Sequence, residues 1–271
     1  MADIELKHDD VGTGSPAIVL IHGFSSGPED WAAQAEHLSS RHRVISVALR
    51  GHGITGRGDA PMSMEQLATD CLEILQDKGI DGAILAGHSM GTRVAIEAHR
   101  QAPTVVKGLI LMDGSNSTSQ SDLDTALAHF EATLSDIGYT SFAKKLFEQM
   151  FYDPKHDALK ERYVARALKV TEEIGAPLYR NLITWDGTVT RDALRNANIP
   201  VLVVQSTTRD AKGGRRALEP GEVGAYESFV VQYATHADVV GMPGLGHYTM
   251  TEAPAEVNAA IDSWLDKHSL R

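Results

Sequence analysis

Ala83-Ile84-Leu85-Ala86-Gly87-His88-Ser89-Met90-Gly91 decides how this chain of 271 residues is read. Four apolar residues run into Gly-His-Ser-Met-Gly, and the stretch beyond it can continue as a helix until Pro103 approaches. A short apolar run of this kind suits a strand covered on both faces. The pattern G-x-S-x-G then falls on a strand-to-helix turn. That placement has a chemical use. A serine hydroxyl is a poor nucleophile until a base takes its proton. A tight turn lifts the side chain out of the sheet, and glycines on either side permit the turn and close helix packing. The helix N-terminus adds donors beside any negative charge that develops there. Ser89 is thus the candidate nucleophile; the plainer reading is a glycine-bracketed structural turn.

Similar runs lie on both sides. They are Ala17-Ile18-Val19-Leu20-Ile21, Val44-Ile45-Ser46-Val47-Ala48-Leu49, residues 106–112, Val201-Leu202-Val203-Val204 and Asp238-Val239-Val240-Gly241-Met242. Ile4 to Lys7 is read as an edge strand. Helical stretches separate the runs. Ser63 with Gln66 resembles a capping box, and Met64, Leu67, Cys71, Ile74 and Leu75 then share one face up to Gly79. Cys71 is read there as core. Val257, Ile261, Trp264 and Leu265 form a last stripe behind Pro254. This alternation predicts an α/β fold, an open and mostly parallel sheet flanked by helices. Residues 115–198 break the rhythm. A polar linker opens them, and Leu123/Leu127/Phe130/Leu134, Phe142/Leu146/Phe147/Met150, Leu159/Tyr163/Ala167 and Leu178/Leu182/Trp185 follow at helical spacing. The division is 1–114 and 199–271 for the sheet core and 115–198 for a helical insertion.

Composition excludes some partners. Lys and Arg number 25 against 36 Asp and Glu, a formal charge of −11. An acidic surface repels phosphate backbones and anionic lipid, so neither nucleic acid nor membrane is expected as a partner. One cysteine permits no internal disulfide. The N-terminal Met1-Ala2-Asp3-Ile4-Glu5 has no basic or apolar leader character, and a cytoplasmic protein is expected. The sequence is silent on oligomeric state.

The order His22-Gly23-Phe24, Arg50-Gly51-His52-Gly53, Gly87-His88-Ser89-Met90-Gly91, Gly246-His247 resembles the α/β-hydrolase superfamily over essentially the whole chain. The helical insertion stands where that superfamily carries its cap. The resemblance implies that His247 is the base and that the amides of Phe24 and Met90 form an oxyanion hole. It gives His22, His52 and His88 structural roles; they also lack the spacing of a metal site. For the acid, the usual position is the loop after the penultimate strand, Gln205-Ser206-Thr207-Thr208-Arg209-Asp210. Asp210 is therefore the expected third member. That loop departs from the common short form, running on through Gly213-Gly214-Arg215-Arg216 to Glu222. Asp113, after the preceding strand, is the alternative, with Glu219 or Glu222 behind it. Arg209, Arg215 and Arg216 make a basic cluster that reads either as a solvated loop or as a carboxylate binder.

The expectation is a serine hydrolase that cleaves a carboxylic ester or similar small acyl substrate through an acyl-enzyme, with no cofactor and no metal. Trp185, Phe147, Met150 and Tyr179 are candidates to line the substrate pocket, with ordinary core the plainer reading of each. Rival readings are a C–C bond hydrolase, a cofactor-free perhydrolase and a ligand-binding receptor on the same scaffold.

Overall fold

The computed structural model describes residues 4–116, 118–210 and 214–270. Met1, Ala2 and Asp3 of the N-terminal segment, Ser117 of the polar linker and Gly213 of the loop after the fifth apolar run lie outside the described residues. The expected strands form β1 (His8–Val11), β2 (Ala17–Ile21), β3 (Val44–Val47), β4 (Ala83–His88), β5 (Val106–Met112) and β6 (Val201–Gln205). A small hairpin, β7 (Thr207–Arg209) with β8 (Arg215–Ala217), and then β9 (Ala237–Gly241) follow. Seven of these make one sheet in the order β1-β3-β2-β4-β5-β6-β9, parallel except for β1. Strands β2, β3, β4 and β6 are buried along their whole length, as apolar runs between two helix layers require.

The first strand is a correction. It begins at His8, not Ile4, and pairs His8 with Val47. Leu6, within the expected run, is buried ahead of the strand. The polar His-Asp-Asp-Val run makes the edge. Asp10 there is bound by Arg43 and Lys78, charges suited to an outer strand.

Around the sheet, α1 (Ala32–Leu38) packs on the C-terminal α10 (Pro254–Lys267), and α2 (Met64–Asp77) packs on α3 (Met90–Gln101). Ser63 caps α2 by accepting from the Gln66 amide at 3.2 Å, but the Gln66 side chain turns to Asp70 at 2.8 Å, so only half of the capping box forms. Between β5 and β6 the chain makes α4 (Leu123–Glu148), α5 (Asp157–Ala167), α6 (Glu172–Thr188) and α7 (Thr190–Asn196). Helix α4 breaks at Gly138, whose φ of 74° and ψ of 160° are not helical. It packs on α5 and α6, whereas α7 packs on α3 and on α8 (Ala225–Tyr233), in the layer beside the sheet. A short α9 (Thr249–Glu252) precedes α10. No helix among the described residues is long and apolar enough to cross a membrane.

Two arginines, Arg93 buried and Arg166 half-buried, fasten the insertion to the core. Arg93 of α3 takes both oxygens of Asp186 on α6, at 2.8 and 2.7 Å. Arg166 of α5 takes both oxygens of Asp30, at 2.7 and 2.8 Å. Such fork-to-fork pairs fix orientation as well as distance.

Candidate active site

Ser89 ends β4 and caps α3 with φ 53° and ψ −112°, a conformation that a side chain adopts only under strain. Close packing on either side explains the glycines. A Cβ on Gly87 would lie 2.1 Å from the Gly91 carbonyl oxygen, and one on Gly91 would lie 2.4 Å from that of Ile21. Helix α3 therefore sits directly against the strand ends, and any side chain at these positions would push the serine out of place.

His247 lies in the loop after β9. His88, beside Ser89, donates from Nε2 to the His247 carbonyl oxygen at 2.8 Å, and the two rings lie 4.7 Å apart. The histidine loop is thus tied to the serine turn. His247 Nδ1 donates to Asp113 Oδ2, while its Nε2 is buried and meets no acceptor or donor among the described residues.

The carboxylate on His247 is therefore that of Asp113, and the expectation for Asp210 is corrected. Strand β7 pairs antiparallel with β8, and Asp210 lies just past the end of β7, exposed. There it accepts from the Gly214 amide at 2.8 Å through Oδ1 and bonds it again through the backbone. Asp113 is wholly buried, with φ 42°, at the end of β5. Its Oδ1 accepts from the amides of Ser206 and Thr207, both at 2.9 Å, and its Oδ2 from the Thr207 hydroxyl at 2.7 Å. Glu222 pairs with Arg216.

Burial works against both charges. It would raise the Asp113 carboxyl, but His247, Arg215 and the Ser206 amide outweigh it and hold the group below its ordinary range. Burial and the nearby Arg215 guanidinium push the His247 imidazole down to about 4, against the pull of Asp113.

The other turn histidines hold the Phe24 loop. His22 Nδ1 donates to the Gly23 carbonyl at 2.8 Å and its Nε2 accepts the Leu49 amide at 3.0 Å. His52 Nδ1 donates to the Arg50 carbonyl at 2.9 Å and its Nε2 accepts the Ser25 amide at 3.1 Å. Burial lowers both rings, His52 to about 4, so each stays neutral and bridges two loops. Arg50 is itself consumed by a bidentate pair with Asp70 at 2.8 and 2.7 Å. Gly23 lies against the serine turn, since a Cβ there would come within 3.2 Å of Ser89 Cβ. With Ser25 and Ser26 engaged, the Phe24 and Met90 amides donate to no acceptor among the described residues. Met90 is the first residue of α3, where amides have no intrahelical partner.

Ser89 and His247 line one cavity of about 40 Å³. Phe24, Phe147, Met150 and Tyr179 line it with them. Trp185 does not, and that expectation is corrected. It lies six residues past Tyr179, about 9 Å along α6, where it is buried with its indole N–H on Glu97 Oε2 of α3 at 3.1 Å. The cavity shares Leu146, Tyr179 and Arg209 with a pocket of about 370 Å³ between α4 and α6. A larger space of about 650 Å³, lined by Ser25, Arg57, Arg166 and Ile174 among others, contains neither Ser89 nor His247. Ser206 and Thr207 are site residues that the sequence left unassigned, their only signal being their place just past an apolar run; Arg215 stood in the basic cluster that reads as a solvated loop or a carboxylate binder.

Comparison with known proteins agrees with the geometry. The model of the alpha/beta hydrolase family matches residues 18–260. A dihydrolipoyllysine-residue acetyltransferase component of the acetoin cleaving system of Pseudomonas putida is 28% identical over 262 residues, 95% of this chain. The chain spans only 65% of that protein. The (E)-2-((N-methylformamido)methylene)succinate hydrolase of Acinetobacter baylyi is 22% identical over 94% of this chain and 92% of its own. A thermophilic esterase from Thermogutta terrifontis, solved with malate bound, superposes with a TM-score of 0.79 at 25% identity. It covers 98% of this chain and 94% of that chain.

Proposed function

The chain belongs to the alpha/beta hydrolase family, and from that premise we propose that this hydrolase cleaves a carboxylic ester or similar acyl compound through a covalent intermediate on Ser89. One observation carries the reading. A histidine held by a buried carboxylate keeps an unpartnered Nε2 beside the cavity that a strained serine also lines.

In this reading Ser89 Oγ attacks the substrate carbonyl carbon while its proton passes to His247 Nε2. The carbonyl π-electrons move to oxygen, and the Phe24 and Met90 amides hold that oxyanion, each contributing about 3 kcal/mol. The carbon–oxygen bond to the leaving group breaks, and His247 returns the proton to the departing alcohol. Water then adds to the acyl carbon with His247 as base. Ser89 leaves with the proton, and the free acid departs. Asp113 orients the imidazole and steadies its charged form throughout.

Helices α4, α5 and α6 act as the cap. A cavity of about 40 Å³ is far below the several hundred Å³ of common small-molecule sites. Substrate entry therefore requires displacement of the roof, with Leu146 and Tyr179 as the partition from the 370 Å³ pocket.

Burst kinetics test the proposal. With p-nitrophenyl acetate, wild type is expected to release one equivalent of nitrophenol per site in a burst before steady turnover. Ser89→Ala is expected to show no burst and to lose activity by about 10⁴-fold or more. A Ser89→Ala variant with unreduced turnover would contradict it.

A further inference from the structure

Arg215 is unlike the other buried arginines. Arg50 and Arg93 each spend their fork on a carboxylate. Arg215 donates from Nη1 to Thr207 Oγ1 at 2.7 Å, and that nitrogen lies 3.0 Å from His247 Nδ1 and 3.8 Å from Asp113 Oδ2. His247 Nδ1 gives its own hydrogen to Asp113, so the Arg215 contact there is an approach of charge to ring, not a second hydrogen bond. The side chain is only 10% exposed and lines the cavity of Ser89 and His247. Its Nε and Nη2 donate to no acceptor among the described residues. These donors are not sealed in the interior, so they are open to a ligand, and a guanidinium edge is shaped to receive two carboxylate oxygens.

The linings point the same way. The whole chain carries 36 acidic against 25 basic residues. Yet among the described residues no Asp or Glu lines the catalytic cavity or the adjoining 370 Å³ pocket. Arg209, paired with Arg215 across the hairpin, lines both spaces, and Lys145 lines the outer one. An anion moving inward would meet Lys145, Arg209 and Arg215, with no carboxylate in the lining to oppose it.

Position adds a mechanistic consequence. Proton transfer from Ser89 makes an imidazolium, and a fixed positive charge 3.0 Å from the ring opposes it. We propose that the substrate carries a carboxylate, bound by Arg215 with Arg209 at the inner mouth of the pocket, and that this carboxylate offsets the guanidinium charge beside His247. The proposal rests on the serine hydrolase reading. It makes anionic acyl compounds the preferred class and makes the substrate's own charge part of the catalytic apparatus.

The test compares monomethyl with dimethyl esters of succinate, glutarate and adipate, followed by chromatography. For the best chain length, wild type is expected to favour the monomethyl ester in kcat/KM by about 10- to 100-fold, the scale of one charge-assisted pair. Arg215→Met is expected to lose that preference and to hydrolyse the dimethyl esters faster than wild type, which also reports that the variant folds. Arg215→Lys is expected to restore part of the preference, and Arg209→Gln to weaken it while leaving the Asp113–His247 contact intact. A wild-type preference for the dimethyl ester at every length, or an equal fall on both series in Arg215→Met, would overturn the proposal alone. Wild type inert on both series, without a nitrophenol burst, would overturn the hydrolase reading and this proposal with it.

Discussion

Strands β5 and β6 lie side by side, with Met112 opposite Val204, and each runs into a loop bearing an aspartate. Asp113 follows the first and is buried against His247. Asp210 follows the second, five residues past its end, exposed just beyond β7. The two loops have divided the work. The loop after β5 supplies the acceptor. The loop after β6 supplies donors: the Ser206 and Thr207 amides and the Thr207 hydroxyl for Asp113, and the Ser206 hydroxyl for the Gly246 carbonyl at 2.6 Å. A carboxylate needs a cage of donors before it can remain charged in the interior. The difference teaches that the acid's place depends on which loop can be caged, and a hairpin that carries its own aspartate outward leaves donors behind.

Three predictions probe this division. The largest effect is expected at the acceptor. Asp113→Asn should lower kcat on a simple ester by about 10⁴-fold, because the imidazole loses its orienting charge. Asp210→Asn should change it by no more than about twofold. Equal losses at both positions would break the comparison.

A middle effect is expected on the donor side. Thr207→Val removes one hydroxyl from Asp113 and one acceptor from Arg215, and kcat should fall about 10-fold, the scale of one hydrogen bond to a charged group. Unchanged activity would show that the cage is redundant.

The smallest effect is a displacement of the pH profile. Burial and Arg215 disfavour the imidazolium of His247 and bring it from 6.5 to about 4. The base therefore stays neutral and competent well below pH 6.5, and kcat/KM should fall only as pH drops toward about 4. The same sign governs stability. Between 6.5 and about 4 the unfolded chain binds a proton that the folded His247 refuses, so stability contributed by the neutral ring is lost as pH falls. An acid limb near 6.5 would contradict the assigned environment.

The sequence made half of this site legible. The Ser89 turn was visible because a tight strand-to-helix turn imposes a local pattern, glycines at fixed offsets between an apolar run and a helix. The cost of a Cβ at Gly87 or Gly91 shows why that pattern cannot drift. His247 was visible through its place past the last apolar run. The carboxylate on His247 was misplaced because that pairing is a long-range fact. It depends on β5 and β6 being neighbours and on β7 pairing with β8, and spacing along the chain reports neither. Trp185 was misplaced for a related reason, since periodicity gives the apolar face of α6 but not how far along it the cavity extends. The first strand was read at Ile4 to Lys7, too early, because pairing with β3 is a long-range fact that a short run near the start does not report.

The most direct measurement is the crystal structure of the protein inactivated by an alkyl fluorophosphonate. The account predicts phosphorus bonded to Ser89 Oγ, a phosphoryl oxygen accepting from the Phe24 and Met90 amides, and His247 Nε2 facing the adduct with Asp113 still on Nδ1. Phosphorus on another side chain, or a phosphoryl oxygen turned away from those two amides, would contradict it.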